Sequence, residues 1–243
     1  MGKVLVIPDV HLKPWMFVGA EEALEKGQYD QVVLLGDIAD DWGQERNREL
    51  YAETFDALLR FMKTHPESLF CYGNHDLSYV WNAYESGFSA YVRELVMEKL
   101  KAIEEVLPVG RDAYIHRIDN VLFSHGGLTE SFVREHFGRG DKVDIDYIIE
   151  RVNKMGKPYM WKDDSPIWAR PQYGNERLYS AGLMQVVGHT PVEAPLEEEN
   201  LLSLDTFSTY RAGTPIGDGR FVWVDTIERT WGYAGGYHDF YDR

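Results

Sequence analysis

Cysteine is almost missing from this chain of 243 residues: Cys71 is the only one. A single thiol excludes an intrachain disulfide, so nothing ties the chain to an oxidising compartment. Basic residues are scarce beside acidic ones. Lys plus Arg total 25 and Asp plus Glu total 40, a formal charge of −15. That excess argues against a non-specific binder of nucleic acid or of an anionic membrane surface. It leaves room for a local anion site, because a bound cation reverses the field in a cleft. Long apolar runs are also missing. The first, residues 4–7, stops at Pro8-Asp9 and is too short for a signal peptide or a membrane span. Repeats, low-complexity tracts and linker-like stretches are absent. With 44% hydrophobic and 27% charged residues, these features describe a single domain over 1–243, expected to be cytoplasmic.

What is present is an ordered alternation of short apolar runs and helical stretches. Residues 4–7 (VLVI), 32–35 (VVLL) and 69–72 (LFCY) read as strands buried on both faces. Helical spacing is expected over 15–27, 44–63 and 90–106. Strand–helix order of this kind implies a parallel sheet with crossover helices, an α/β class. The second half is richer in strands. Residues 114–117 and 121–124 flank Asp119-Asn120 as a hairpin, and 184–187, 201–204 and 221–224 are further strands. Helices are expected over 128–137 and 143–154. Segment 156–180, rich in Pro, Trp and Asp, is expected to be an irregular lid. Two packed sheets with helices outside accommodate this inventory.

The strand ends carry the chemistry. The first three runs end in Pro8-Asp9-Val10-His11, Gly36-Asp37-Ile38-Ala39-Asp40 and Gly73-Asn74-His75-Asp76. Two later runs end in Ser124-His125-Gly126-Gly127 and Gly188-His189-Thr190. In open α/β sheets, ligands bind at the carboxyl ends of strands. Asp, His and Asn at five such ends form a mixed nitrogen and oxygen donor set suited to a pair of divalent metal ions.

These motifs, in this order and spacing, resemble the calcineurin-like metallophosphoesterase superfamily, and they run from residue 9 to residue 190. The resemblance implies a four-layer αββα sandwich. It implies that Asp9 and His11 hold one metal, that Asp37 bridges both, and that Asn74, His125 and His189 hold the second. Manganese ranks first, with iron, zinc, nickel or cobalt as alternatives. The resemblance further implies a metal-bridging hydroxide as nucleophile. His75 would bind the phosphate or protonate the leaving oxygen, with Asp40 orienting it. Asn74 and Arg170, in Ser165-Pro166-Ile167-Trp168-Ala169-Arg170, would also contact phosphate.

Pro191 after Thr190, and Leu128 after Gly127, point to the branch of serine/threonine phosphoprotein phosphatases and symmetrical diadenosine tetraphosphatases. Two departures stand out. Asp41 occupies the place of that branch's second phosphate-clamping Arg, and Leu12 follows His11 where a Gly is usual. The expected activity is hydrolysis of phosphomonoesters. A dinucleoside polyphosphate hydrolase or phosphodiesterase is the alternative, and a non-catalytic scaffold the remote one. The expected partner is a phosphorylated protein, nucleotide or small phosphoester, with no membrane and no nucleic acid. No feature sets an oligomeric state.

Plainer readings stand beside these. A strand-end Asp or Asn can simply cap the next helix, and Asp76 reads best that way. His65, His116, His136 and His238 read as surface or structural residues. The seven Trp read as core and lid packing rather than a stacking platform. The run Glu197-Glu198-Glu199 reads as a solvated loop, and Arg170 could be an ordinary salt-bridge partner. Asp205, Tyr210 and Arg211 lie on a late strand or loop that could face the site.

Overall fold

The computed structural model describes residues 2–138 and 143–237. The buried runs of the first half form β1 (Lys3–Ile7), β2 (Gln31–Leu34) and β3 (Leu69–Cys71), which pair in parallel, as expected. The crossovers between them are α1 (Trp15–Lys26) and α2 (Arg48–Thr64). α2 starts four residues later than its apolar spacing suggests. Asn47 caps it by accepting the Leu50 N–H at 3.2 Å, and residues 44–47 turn instead. α3 (Asn74–Val80) opens directly on the third motif, and α4 (Arg93–Val106) follows.

β4 (Asp112–Ala113) extends the first sheet in parallel with β3. β5 (Ile115–Ile118) and β6 (Val121–Ser124) form the expected hairpin. Next come α5 (Glu130–Phe137), α6 (Ile145–Val152) and α7 (Lys157–Met160). The rest of 156–180 is irregular apart from a short 3-10 turn at Pro171–Tyr173. The chain ends with β7 (Met184–Val187), β8 (Leu196–Glu198), β9 (Leu201–Ser203), β10 (Arg220–Asp225) and β11 (Thr230–Tyr237).

The first sheet runs β11-β10-β1-β2-β3-β4 and the second β5-β6-β7-β9-β8. Both are mixed. Parallel pairing runs from β1 to the β4 edge of the first sheet and through the middle of the second, and antiparallel strands close the β11 end of the first sheet and both ends of the second. Alternate residues divide between two cores, as the period of a strand requires. Val4, Val6, Val33, Leu69 and Cys71 face Val121, Phe123, Met184, Val186 and Leu202 between the sheets. Their neighbours Leu5, Ile7, Val32, Leu34, Phe70 and Leu122 turn to the helices. This is the α/β, four-layer arrangement expected from the sequence.

Three strands escaped the sequence reading. β4 has two residues, too few to show a period. β11 is a run of Gly and aromatics, TWGYAGGY, with no alternation to betray it. β8 corrects the solvated-loop reading of 197–199. Glu197 and Glu198 lie on an exposed edge strand paired with β9, where charges discourage further pairing. His116 is structural, as expected: buried on β5, it donates from Nε2 to the Phe70 carbonyl at 3.0 Å and pins one sheet to the other. His65 faces Glu21 at 2.9 Å, and His136 packs on Phe132. His238 lies outside the described residues.

Phe123 is fully buried between the sheets. Its truncation to Ala is expected to cost about 3–5 kcal/mol, read as a lower midpoint in urea denaturation with an unchanged slope.

Candidate metal centre

The carboxyl ends of β1, β2, β3, β6 and β7 meet at one edge of the sandwich. Backbone strain concentrates there. His11, Leu12, Asp37, Asp40 and His189 all have φ between 44° and 66°, the left-handed region that ordinary residues avoid. Leu12 therefore occupies the kind of position where Gly is at ease, which gives the sequence departure a physical cost. Packing holds these turns. A Cβ at Gly73 would lie 2.0 Å from Asp37 Oδ1, so the β3 turn can close on the β2 turn only as glycine.

Asp76 fixes that arrangement. It is the third residue of α3 and accepts the Gly73 N–H at 3.1 Å, the reach-back half of a capping box. It also accepts the N–H groups of Asp37 at 2.9 Å and Ile38 at 3.0 Å. Asp76 is therefore not the N-cap of the plainer reading, a position that Gly73 holds; from inside the helix it reaches back to Gly73 and orients the loop that carries Asp37.

The ring hydrogens of the histidines are committed to backbone carbonyls. His125 Nδ1 donates to Leu35 O at 2.8 Å, and His189 Nε2 donates to Trp168 O at 3.1 Å. His11 Nδ1 donates to Asp40 O at 2.8 Å. The Asn74 amide nitrogen donates to Glu85 Oε2 at 2.6 Å, which turns Oδ1 inward. With the imidazoles neutral, the remaining atoms are all lone-pair donors, and they converge. His125 Nε2 lies 2.9 Å from Asn74 Oδ1, 3.1 Å from His189 Nδ1 and 3.2 Å from Asp37 Oδ2. His11 Nε2 lies 3.7 Å from the same Asp37 oxygen. Lone pairs so arranged repel unless a cation sits among them, and fixing the distal ring nitrogen on a carbonyl is how proteins orient metal-binding imidazoles. The donor chemistry fits a divalent metal.

Asp9 stands beside this cluster rather than within it. Its Oδ1 accepts the His189 N–H at 2.8 Å, while its Oδ2 is buried with no hydrogen-bond partner. A buried carboxylate oxygen without a hydrogen-bond partner fits a cation ligand. Burial, then the nearby Asp205, pushes the Asp9 carboxyl well above its usual range.

Without a cation, protons take its place. Burial opposes a charge on His125, but Asp37 overcomes it and raises the imidazole to about 9. His75 is likewise raised well above the ordinary histidine value, as Asp37, Asp40 and Glu85 outweigh its burial. His189 is held well below it by burial and by the His125 charge. Burial would raise Asp37, yet the imidazoles of His125 and His75 hold it far below the usual carboxylate range.

His75 Nδ1 lies 3.0 Å from Asp40 Oδ2, as the expected orienting pair requires. The other oxygen of Asp40 accepts the hydroxyls of Tyr51 and Tyr79, both buried, so the carboxylate cannot turn away. Glu85 escaped the sequence reading. Its Oε1 lies 2.7 Å from His75 Nδ1, closer than Asp40, and its other oxygen holds Asn74. An isolated Glu in a loop before Ser86-Gly87 carries no motif that could have revealed it.

Asp205 also belongs here. It is buried, lines the cavity beside His11 and Asp37, and accepts from the Ser208 hydroxyl at 2.9 Å. Beyond Asp9 and Asp37, the carboxylates of Asp40, Asp41, Glu85 and Asp205 crowd around the site. Arg170 lines the same cavity. One guanidinium nitrogen donates to His189 O and to the Thr190 hydroxyl, at 3.0 and 3.2 Å. No carboxylate pairs with Arg170 among the described residues, contrary to the plain salt-bridge reading.

Asp76→Ala would leave the buried N–H groups of Gly73, Asp37 and Ile38 without this acceptor. A loss of about 2–4 kcal/mol is expected, read by thermal denaturation of the metal-free protein.

With this geometry in hand, the comparisons with known proteins are informative. The calcineurin-like phosphoesterase family model matches residues 2–209. Among curated proteins, no sequence match is found. Among solved structures, the chain is similar to a protein serine/threonine phosphatase from Saccharomyces cerevisiae described as having similarity to human phosphatase PP5. The identity is 15% and the TM-score 0.52, covering 98% of this chain and 81% of the other. It is also similar to a metallophosphoesterase from Sphaerobacter thermophilus at 15% identity and a TM-score of 0.46, covering 99% and 89%. At such identities the structural likeness is one of fold. The family match spans most of the chain and all five motif-bearing strand ends, so the chain belongs to the calcineurin-like phosphoesterase family.

Proposed function

We propose that this protein is a metal-dependent phosphoesterase that cleaves phosphomonoesters, with two divalent ions held by Asp9, His11, Asp37, Asn74, His125 and His189. The observation that carries the reading is the convergence of His125 Nε2, His189 Nδ1, Asn74 Oδ1 and Asp37 Oδ2 on one point, beside a cavity lined by Asp37, His189, His75 and Arg170. Bound there, divalent ions supply Lewis-acid activation of water and of phosphate oxygens, and manganese suits the donor set.

The chain's own groups supply the rest. Arg170, anchored by one nitrogen, keeps guanidinium donors for phosphate oxygens. Asp37, Asp40 and Glu85 favour the charged form of His75 in the metal-free protein, against its burial. Its Nδ1 is held by Asp40 and Glu85, which leaves Nε2 to protonate the leaving oxygen. Asn74, tethered by Glu85, can offer its carbonyl oxygen to a metal. No helix among the described residues is long and apolar enough to cross a membrane. The single cysteine is compatible with action in the cytoplasm.

The test is turnover by manganese-loaded protein on p-nitrophenyl phosphate beside bis-p-nitrophenyl phosphate. Faster turnover of the monoester is expected, falling about 10²–10⁴-fold in His75→Ala. Preference for the diester would turn the assignment to a phosphodiesterase. Undiminished activity in His75→Ala would remove the proton-donor role.

Metal binding should depend on pH. His125 titrates near 9 in the metal-free protein, so at neutral pH a cation at its Nε2 must displace a proton. Affinity is therefore expected to rise with pH by up to tenfold per unit below 9, and to level off above it. Manganese titration calorimetry in buffers of different ionisation enthalpy counts the released protons. A pH-independent affinity with no proton release would exclude His125 as a ligand.

A further inference from the structure

The cavity beside the metal-ligand cluster has one wall that the phosphoesterase chemistry leaves unused. Trp42 and Tyr210 both line this space of about 300 Å³, together with Pro191, Arg211 and Ile216. Trp42 is 46% exposed and Tyr210 55% exposed. Other tryptophans do pack as the sequence suggests, such as the edge-to-face series Trp81, Trp161 and Trp168. Trp42 departs from that expectation. Among the described residues neither its ring nor that of Tyr210 packs on another aromatic ring. Two large apolar faces are thus left to water within the cavity that contains His75 and Arg170.

The Trp42 ring is held by its side chain, and the turn that carries Tyr210 is braced through its backbone. The Trp42 indole N–H donates to Thr209 O at 3.2 Å. Tyr210 sits on a tight turn closed by Tyr210 N to Thr214 O at 2.8 Å and by Gly213 N to Tyr210 O at 2.7 Å. Asp41 ties the two segments together. Its Oδ1 accepts the Trp42 N–H at 2.8 Å and the Thr209 hydroxyl at 3.2 Å. Its Oδ2 faces the buried Lys13 ammonium at 3.4 Å. The charge that would repel phosphate is therefore neutralised by Lys13, and the aspartate serves as a pin for the aromatic wall. A held ring loses little entropy on binding, so stacking against it is productive. The opposite wall is close. Gly87, at φ +94°, lets its loop pass over Asp40 and His75, where a Cβ would lie 3.1 Å from Asp40 Cβ.

We infer that the leaving group of the substrate carries a planar aromatic ring, a nucleobase or an aryl group, which binds against Trp42 and Tyr210 while its phosphate sits at the metal-ligand cluster. The inference rests on the phosphoesterase reading and adds the substrate class. Stacking on aromatic side chains is sequence-tolerant and strong enough to dominate selectivity among phosphoesters of equal reactivity.

The experiment compares ligands that differ only in the ring. Dissociation constants for adenosine monophosphate and ribose 5-phosphate would be measured on manganese-loaded protein, and in parallel for phenylphosphonate and methylphosphonate. Binding at least about tenfold tighter for the ring-bearing member of a pair is expected. A preference within the nucleotide pair identifies a nucleobase, and one within the phosphonate pair alone identifies an aryl group. The preference should collapse in Trp42→Ala and in Tyr210→Ala and persist in Trp42→Phe, which keeps a stacking face. Equal binding within both pairs would overturn the inference, as would a preference unmoved by both alanine variants. Inorganic phosphate serves as the control for the underlying reading. If phosphate binds and p-nitrophenyl phosphate is hydrolysed but no ring preference exists, the ring subsite alone is wrong. If neither occurs, the phosphoesterase reading itself has failed.

Discussion

One carboxylate organises the molecule's working edge. Asp37 ends the central strand pair, and its side chain looks both ways. Oδ1 takes the His75 backbone N–H at 2.9 Å, while Oδ2 faces His125, His11 and His75 at 3.2, 3.7 and 4.0 Å. Such a position has to be held against strain, since its backbone sits at φ 49°. It is held by Asp76, by the carbonyl of Asp37 itself, which accepts the N–H groups of Val10 and His11, and by the glycine that lets the β3 turn close on it. Three of the motif loops therefore share one hydrogen-bond centre, and a shift of Asp37 would move all of them together.

That crowding explains the electrostatics. Six carboxylates, those of Asp9, Asp37, Asp40, Asp41, Glu85 and Asp205, gather where only Lys13, Arg170 and Arg211 oppose them among the described lysine and arginine side chains, and burial weakens the charge of Lys13. Buried charge of one sign is costly unless neutralised. Protons on His75 and His125 are one answer, and divalent cations are a stronger one. The net charge of −15 would repel a phosphorylated substrate, so under the proposed function attraction comes from inside, from bound cations and Arg170. The same logic gives Asp41 and Lys13 their meaning as a compensated pair that ties together two loops of the cavity wall.

Legibility in the sequence followed the physics of each feature. The buried runs ending in Asp9, Asp37, Asn74, His125 and His189 were readable because parallel strands leave a continuous apolar stretch and then stop at a polar turn. β8 and β11 were not, since an acidic edge strand and a Gly-rich strand lack that stretch. Asn47 moved the start of α2, as a cap can override an apolar period that begins earlier. Glu85 was invisible for another reason. Its partners Asn74 and His75 are near in sequence, but only the fold of the 81–90 loop turns its carboxylate back onto them.

The sequence by itself therefore determined the α/β class, the order of the motif-bearing strands and the donor types delivered to their ends. These depend on local apolar runs and on residue chemistry, which any stretch of chain carries with it. The tertiary structure decided which lone pairs meet, which carboxylate orients His75, and what Asp41 does in place of an arginine. It also decided that Trp42 faces the cavity instead of a core. Each of these is a contact between segments distant in the chain, as when residue 42 meets residue 209. Such contacts are fixed by how two sheets and their loops pack, not by anything written at either position alone.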